Sequence, residues 1–224
     1  MNKPRGKVNC NWSSNLAYAI GLIATDGCLS KDGRHLELTS TDEDQLENFM
    51  SCLGIKVKIG YKTSSFSHNK IPRIQFGDIL FYRFLESIGL TTAKTKTISA
   101  LKIPDEYFYD FLRGHHDGDG TFYSYWDPRW KSSFMFYTVF LSTSKPHVVW
   151  IQKKIFELLG IKGHLTINRS RRGHADLYQI RYAKKDSLKL LPKMYYSDKI
   201  ITLKRKRLKI VKALAIDAAH ARVL

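Results

Sequence analysis

The chain repeats itself once, and that repeat limits the possible folds more than any other feature. Residues 16–27 read LAYAIGLIATDG and residues 109–120 read YDFLRGHHDGDG. Each is a helical stretch ending in Asp-Gly, and the two aspartates, Asp26 and Asp119, lie 93 residues apart. The parallel continues in order. Leu38-Thr39-Ser40-Thr41 matches Leu141-Ser142-Thr143-Ser144, and each leads into an apolar helical segment ending in Leu-Gly-Ile, at 53–55 and 159–161. Ile74-Gln75-Phe76 then parallels Ile180-Arg181-Tyr182, followed by leucine-rich helices over Ile79–Ile88 and Ser187–Tyr195. Lys94–Ile98 is set against Lys199–Leu203. The unit is helix, two strands, helix, two strands, helix, so the fold class is α+β with antiparallel sheets. The second copy carries an aromatic-rich extra segment, Tyr123–Phe136, expected to lengthen a hairpin. Pro104 and Asp105 break the pattern, dividing the chain into 1–105 and 106–224.

Charge narrows the partner. The 224 residues hold 37 Lys and Arg against 20 Asp and Glu, a net of +17, which favours polyanions and nucleic acid first. The excess is concentrated in the second copy, where seven basic residues fall between Lys199 and Lys212. The segment Leu203–Leu224 has helical spacing and is expected to lie along phosphates or to cover the second half. Three cysteines, Cys10, Cys28 and Cys52, lack a C-x-x-C spacing, so neither a disulfide framework nor a structural zinc site is expected. The chain reads as intracellular and reduced, in a cytoplasm, nucleoid or organelle matrix. Basic residues before the apolar run Leu16–Ala24 imitate a signal peptide, but the run is too short to span a membrane and recurs in mid-chain, so no membrane partner is expected.

Strand polarity marks a second face. Lys56-Val57-Lys58-Ile59 and His164-Leu165-Thr166-Ile167-Asn168 alternate polar with apolar, and alternate side chains in a strand share a face. A β-ribbon fits the DNA major groove. The side chains expected to meet DNA are Arg34, Lys56, Lys58, Lys62, Lys70, Arg73 and Gln75 in the first copy. In the second they are His164, Thr166, Asn168, Arg169, Arg171, Arg172, Gln179 and Arg181.

Gly21 and Gly114 each precede an aspartate by five residues. Glycine inside a helix costs roughly 1 kcal/mol against alanine, and close helix–helix approach is the expected reason. Helices packed there would bring Asp26 and Asp119 together, and neighbouring carboxylates call for a cation between them. Mg²⁺ suits few carboxylates completed by water and phosphate, which points to phosphodiester hydrolysis.

The paired motifs resemble the two copies of the LAGLIDADG motif that defines a family of homing endonucleases, with relatives that act as RNA maturases. Leu112, Gly114, Asp117, Gly118, Asp119 and Gly120 fit it in the second copy; Gly21, Leu22, Ile23, Asp26 and Gly27 fit it in the first. The resemblance implies a single-chain, monomeric enzyme needing no obligate protein partner. Its two αββαββα repeats would pack their motif helices centrally, and its sheets would form a saddle over double-stranded DNA. It further implies Asp26 and Asp119 as catalytic metal ligands, the carbonyls of Thr25 and Gly118 as further ligands, and two or three Mg²⁺ ions, with Ca²⁺ supporting binding without cleavage. It also suggests a catalytic-pocket lysine, for which Lys184 is the candidate. Asp117 matches Ala24 and reads as structural; His115 and His116 fall at packing positions. The alternatives are an RNA maturase and a cleavage-inactive DNA-binding regulator on the same scaffold.

Overall fold

The computed structural model describes residues 6–63, 69–130, 132–170 and 175–221. The first repeat runs α1 (Ser14–Asp26), β1 (Gly27–Leu29), β2 (His35–Thr39), α2 (Glu43–Leu53), β3 (Gly60–Thr63), β4 (Lys70–Gly77), α3 (Ile79–Ser87) and a short α4 (Lys94–Thr97). The second runs α5 (Phe108–Gly118), β5 (Thr121–Trp126), β6 (Phe134–Ser142), α6 (Lys145–Leu159), β7 (His164–Asn168), β8 (Leu177–Ala183), α7 (Lys184–Met194) and α8 (Lys204–Ala221). This is the α+β plan the repeat predicts. The strands form two antiparallel four-stranded sheets in equivalent orders, β1-β2-β4-β3 and β5-β6-β8-β7.

Local chemistry explains the recurring punctuation. Gly54 and Gly160 end α2 and α6 with φ of 65° and 66°, the left-handed cap that a side chain resists, so both copies read Leu-Gly-Ile. Ser13 caps α1 by accepting from the Leu16 amide at 3.1 Å. Every residue from Leu16 to Ala24 is buried, which suits a central helix without a polar face. Period-two burial then faces each sheet to the core. Leu36 and Leu38 stand opposite Phe76 and Ile74 in the first, and Phe140 stands opposite Ile180 in the second. The aromatic insert does lengthen a hairpin, with six residues in β5 against three in β1. Its apolar side is covered by α8, whose Ile210 and Ala213 pack with Phe122, Phe134, Phe136 and Leu191.

Two expectations fail. Lys56–Ile59 is not a strand: pairing with β4 begins at Gly60 opposite Arg73, so Lys56 and Lys58 are exposed on irregular chain ahead of the ladder. Lys94–Ile98 and Lys199–Leu203 are not equivalent, because the first contains α4 while the second is irregular. Buried groups of α5 hold that second segment open. Arg113 donates to the carbonyls of Met194 and Ile201 (2.9 and 3.1 Å), and Asp117 accepts from the Leu203 amide at 2.7 Å.

Candidate active site and nucleic-acid interface

The site is built by the contact between α1 and α5. A Cβ placed on Gly21 would fall 2.3 Å from the Phe111 carbonyl oxygen, and one on Gly114 would fall 2.1 Å from that of Tyr18. The two helix backbones touch at these points, and only glycine permits it. The helices then end side by side. A Cβ on Gly118 would meet the Asp26 Oδ2 at 2.7 Å, so the Asp26 carboxylate abuts the backbone next to Asp119.

Both carboxylates are strained electrostatically. Desolvation at the helix ends, with the Asp119 charge added, pushes half-buried Asp26 up to about 6, and desolvation also raises Asp119, although that residue still reaches solvent. Asp26 accepts from Gln45 Nε2 and Thr25 Oγ1, each at 3.1 Å. Each motif helix ends under a lysine. Lys94 Nζ donates to the Ala24 carbonyl at 3.0 Å and to the Thr25 carbonyl. Lys206 Nζ donates to the carbonyls of His116, Gly118 and Gly120 at 2.7, 2.7 and 2.8 Å, which uses all three ammonium protons. A cation at a helix C-terminus also complements the backbone dipole. Burial lowers both lysines, Lys206 to about 8, so it stays largely protonated at pH 7. Thr25, Lys94 and Asp119 line a pocket of about 270 Å³ together with Ser142.

Sequence reasoning missed these two lysines and Gln45. Lys94 follows Asp26 by 68 residues whereas Lys206 follows Asp119 by 87, so the longer second copy hides their equivalence. Lys184, the expected pocket lysine, is a correction. It opens α7, donates to the Phe134 carbonyl at 3.2 Å and pairs with Asp217 of α8, which fixes it to the α8 side of the second repeat. The carbonyls of Thr25 and Gly118, expected as metal ligands, each carry a lysine ammonium and keep a second lone pair.

Asp117 is turned inward. It accepts from the Tyr18 hydroxyl at 2.8 Å and the Leu203 amide at 2.7 Å, tying α1 to the segment before α8. His115 and His116 are buried, and desolvation lowers both, His116 to about 3. Among the described residues no cluster of three or more His, Cys, Asp or Glu could hold a metal. The donor set is therefore two carboxylates with helix-end carbonyls. That fits a hard cation keeping its waters and sharing phosphate, and it does not fit a closed zinc site.

The sheets present two polar faces. On the first, Glu37, Arg73, Gln75 and Lys62 share the side opposite the core, and Glu37 binds Lys62 at 2.7 Å and Arg73 at 2.6 Å. Lys70 falls on the other alternation, and Arg34 sits exposed in the β1–β2 turn. On the second, His164, Thr166 and Asn168 stand beside Arg181, Gln179 and Leu177, with Arg169 exposed just beyond. Arg181 Nε and Thr166 Oγ1 have no partner among the described residues. Arg171 and Arg172 lie outside the described residues.

Residues 13–89 match the family described as LAGLIDADG-like domain. No curated protein matches the sequence. The homing endonuclease I-LtrWI, solved bound to target DNA, aligns at TM-score 0.58 and 15% identity over 92% of this chain and 90% of that one. I-WcaI, solved bound to its DNA recognition sequence, aligns at 0.57 and 15% over 88% of each. Full-length DUF199/WhiA from Thermatoga maritima aligns at 0.52 and 15% over 94% of this chain and 71% of that one. Identities this low speak to fold, and one fold can carry different functions. Among the described residues no helix is long and apolar enough to cross a membrane. The first repeat is thus a LAGLIDADG-like domain, and the chain as a whole has the two-repeat LAGLIDADG fold.

Proposed function

We propose that this chain is a metal-dependent endonuclease that cuts double-stranded DNA at a long, asymmetric site. The observation that carries this reading is the acidic pair: half-buried Asp26 and pocket-lining, solvent-exposed Asp119 sit together at the ends of two touching helices, each raised above its ordinary range. Such an arrangement costs stability unless a cation joins it, and perturbed pairs of this kind mark functional sites. Asp26, Asp119 and the free lone pairs of the Thr25 and Gly118 carbonyls would hold two or three Mg²⁺ ions. When bound, divalent cations at a phosphodiester stabilise the attacking and leaving oxygens. The chain's own groups do the rest. Lys94 and Lys206 lock the helix ends and add positive charge where a phosphate would approach. The polar sheet faces supply base contacts, and the basic surface supplies register on the backbone. One chain contains both aspartate helices, so the enzyme works as a monomer.

A second reading has its own support. The lysines already offset the acidic pair, and the fold recurs in DUF199/WhiA, which fits a DNA-binding protein that does not cut. Incubating the chain with duplexes selected from a random library separates the two. Double-strand cleavage in Mg²⁺, with binding but no cleavage in Ca²⁺, is the expected result. Tight binding with no cutting in Mg²⁺ or Mn²⁺ replaces the endonuclease with the regulator. Enrichment of structured RNA over duplex DNA replaces both with a maturase. With roughly 6–10 phosphate contacts, affinity should fall about 10³–10⁵-fold between 50 and 200 mM salt.

A further inference from the structure

The outer part of the second sheet carries an aromatic surface that the proposed cleavage chemistry does not use. Tyr123 and Tyr125 of β5 and Tyr137 of β6 stand on the face opposite Phe122, Phe136 and Phe140. Tyr123 and Tyr137 are centred 5.2 Å apart and 18° from parallel; Tyr125 lies 6.3 Å from Tyr137 and 6.5 Å from Tyr123, at 6° and 12°. Tyr123 and Tyr125 are 37% and 40% exposed, although α8 is close by, because α8 packs on the other side of the hairpin. The tyrosines share their face with Arg181 and His164, so the surface is continuous with the basic, base-reading edge. The first repeat has no counterpart, since β1 ends after three residues.

Two partners suit exposed aromatic rings in a basic protein. Single-stranded nucleic acid stacks its bases on them, and duplex DNA meets them with its groove edges. Sliding a base between two rings needs about 6.8 Å, twice the 3.4 Å rise of a stacked base. The three rings stand closer than that and already stack on one another. The cluster is therefore a closed ridge on the β5–β6 hairpin, the outer edge of the four-stranded sheet, and a hairpin is of the size the major groove admits. The apolar group displayed there is the C5-methyl of thymine. We propose that Tyr123, Tyr125 and Tyr137 form an apolar reading ridge that selects thymines, through their methyl groups, in the half-site beneath the second sheet. This rests on the DNA-binding part of the proposed function.

The test uses the full chain in Ca²⁺ and the duplexes it enriches from a random library. Each thymine of the preferred site is replaced singly by deoxyuridine, which removes only the methyl. Wild-type protein should lose about three- to fourfold in affinity per methyl read, at positions confined to one half-site. The double variant Tyr123→Ala/Tyr125→Ala should bring the thymine-to-uracil ratio to about one, whatever happens to its total affinity. Tyr125→Phe, which keeps the ring, should keep the ratio. Wild-type indifference to uracil, or a ratio that survives the double variant, overturns the ridge, and so does its loss in Tyr125→Phe, which would assign the reading to the hydroxyl. Tyrosine-dependent preference for single strands overturns it in favour of stacking. If no duplex is enriched, the DNA reading falls and the ridge with it; if duplexes are enriched but uracil is neutral, only the ridge falls.

Discussion

The two sheets share strand order and antiparallel pairing, yet they offer opposite surfaces. On the first, a carboxylate sits among the cations, Glu37 holding Lys62 and Arg73 in a network. On the second, three stacked tyrosines give way toward β7 to Arg181, His164 and Thr166, with no carboxylate among them. The active centre differs in the same way at closer range. Asp26 has Gln45 as a hydrogen-bond partner. The residue at the same distance from the helix cap in the second repeat is His147, which pairs with the Ser99 carbonyl at 2.7 Å. Lys94 secures two carbonyls and Lys206 three. Duplication fixed where side chains stand, while each copy chose its own side chains. A scaffold of this kind can read a partner that lacks twofold symmetry.

The largest expected effect tests what the halves still share. Asp26→Asn and Asp119→Asn should each lower double-strand cleavage by more than about 100-fold, beyond the loss seen for outer-shell partners, while gel-shift affinity stays near wild type. If one variant cuts at the normal rate, the halves are not equivalent at the metal and the paired-carboxylate mechanism fails.

The lysines sharpen the comparison. Lys206→Met removes the donor from three carbonyls, two of them in buried bonds, and Lys94→Met from two in partly buried ones, at about 1–3 kcal/mol for each group left unsatisfied. Urea unfolding should show roughly 3 kcal/mol or more lost in the first and about 2 in the second. Equal losses would mean that the third carbonyl bond of Lys206 adds nothing.

Asp26 also predicts a pH effect of definite sign. Its folded value of about 6 lies above the ordinary 3.8, so between these values the folded state holds the extra proton. The stability it contributes in metal-free protein falls as pH rises through that window. Asp26→Asn removes the cost of the partly desolvated charge. The variant should match wild type near pH 4 and exceed it by on the order of 2 kcal/mol at pH 7. His116 and His147, lowered by burial to about 3 and 4, titrate in the opposite sense and cancel in the difference between the two proteins. A difference in melting temperature that does not change with pH would remove Asp26 as a strained group.

The smallest effect concerns the sheet faces. Partly exposed ion pairs are worth about 0–1 kcal/mol, so Glu37→Gln should barely change stability. It should free Lys62 and Arg73 and steepen the salt dependence of DNA binding by at most about two ions. Arg181→Gln, on the sheet without the carboxylate, should flatten that dependence by about one. The same change of slope in both variants would erase the contrast between the sheets.

What was legible in the sequence was local. The glycines at 54 and 160 announce helix ends because a left-handed cap has few other solutions, and period-two alternation announces the ribbon His164–Asn168. Gly21 and Gly114 stood out because an interior helical glycine needs a packing reason. Lys184 misled because a lysine in a strand-to-helix turn says nothing of its partner, and that partner, Asp217, lies on a helix that packs back from the chain's end. Lys56 and Lys58 misled because alternation without a neighbouring strand does not make a ladder.

By itself the sequence determined the doubled helix-and-strand plan, the α+β class and the position of two aspartates at matching helix ends, since periodicity, glycine tolerance and charge are properties of short stretches. Only the tertiary structure decided that Lys94 and Lys206 close the helix ends, that Gln45 serves Asp26 alone, and that three tyrosines from two strands form one ridge. Each of those joins residues far apart in the chain, and the distances between them are set by how closely α1 and α5 pack and by the register of the strands, which no local pattern encodes.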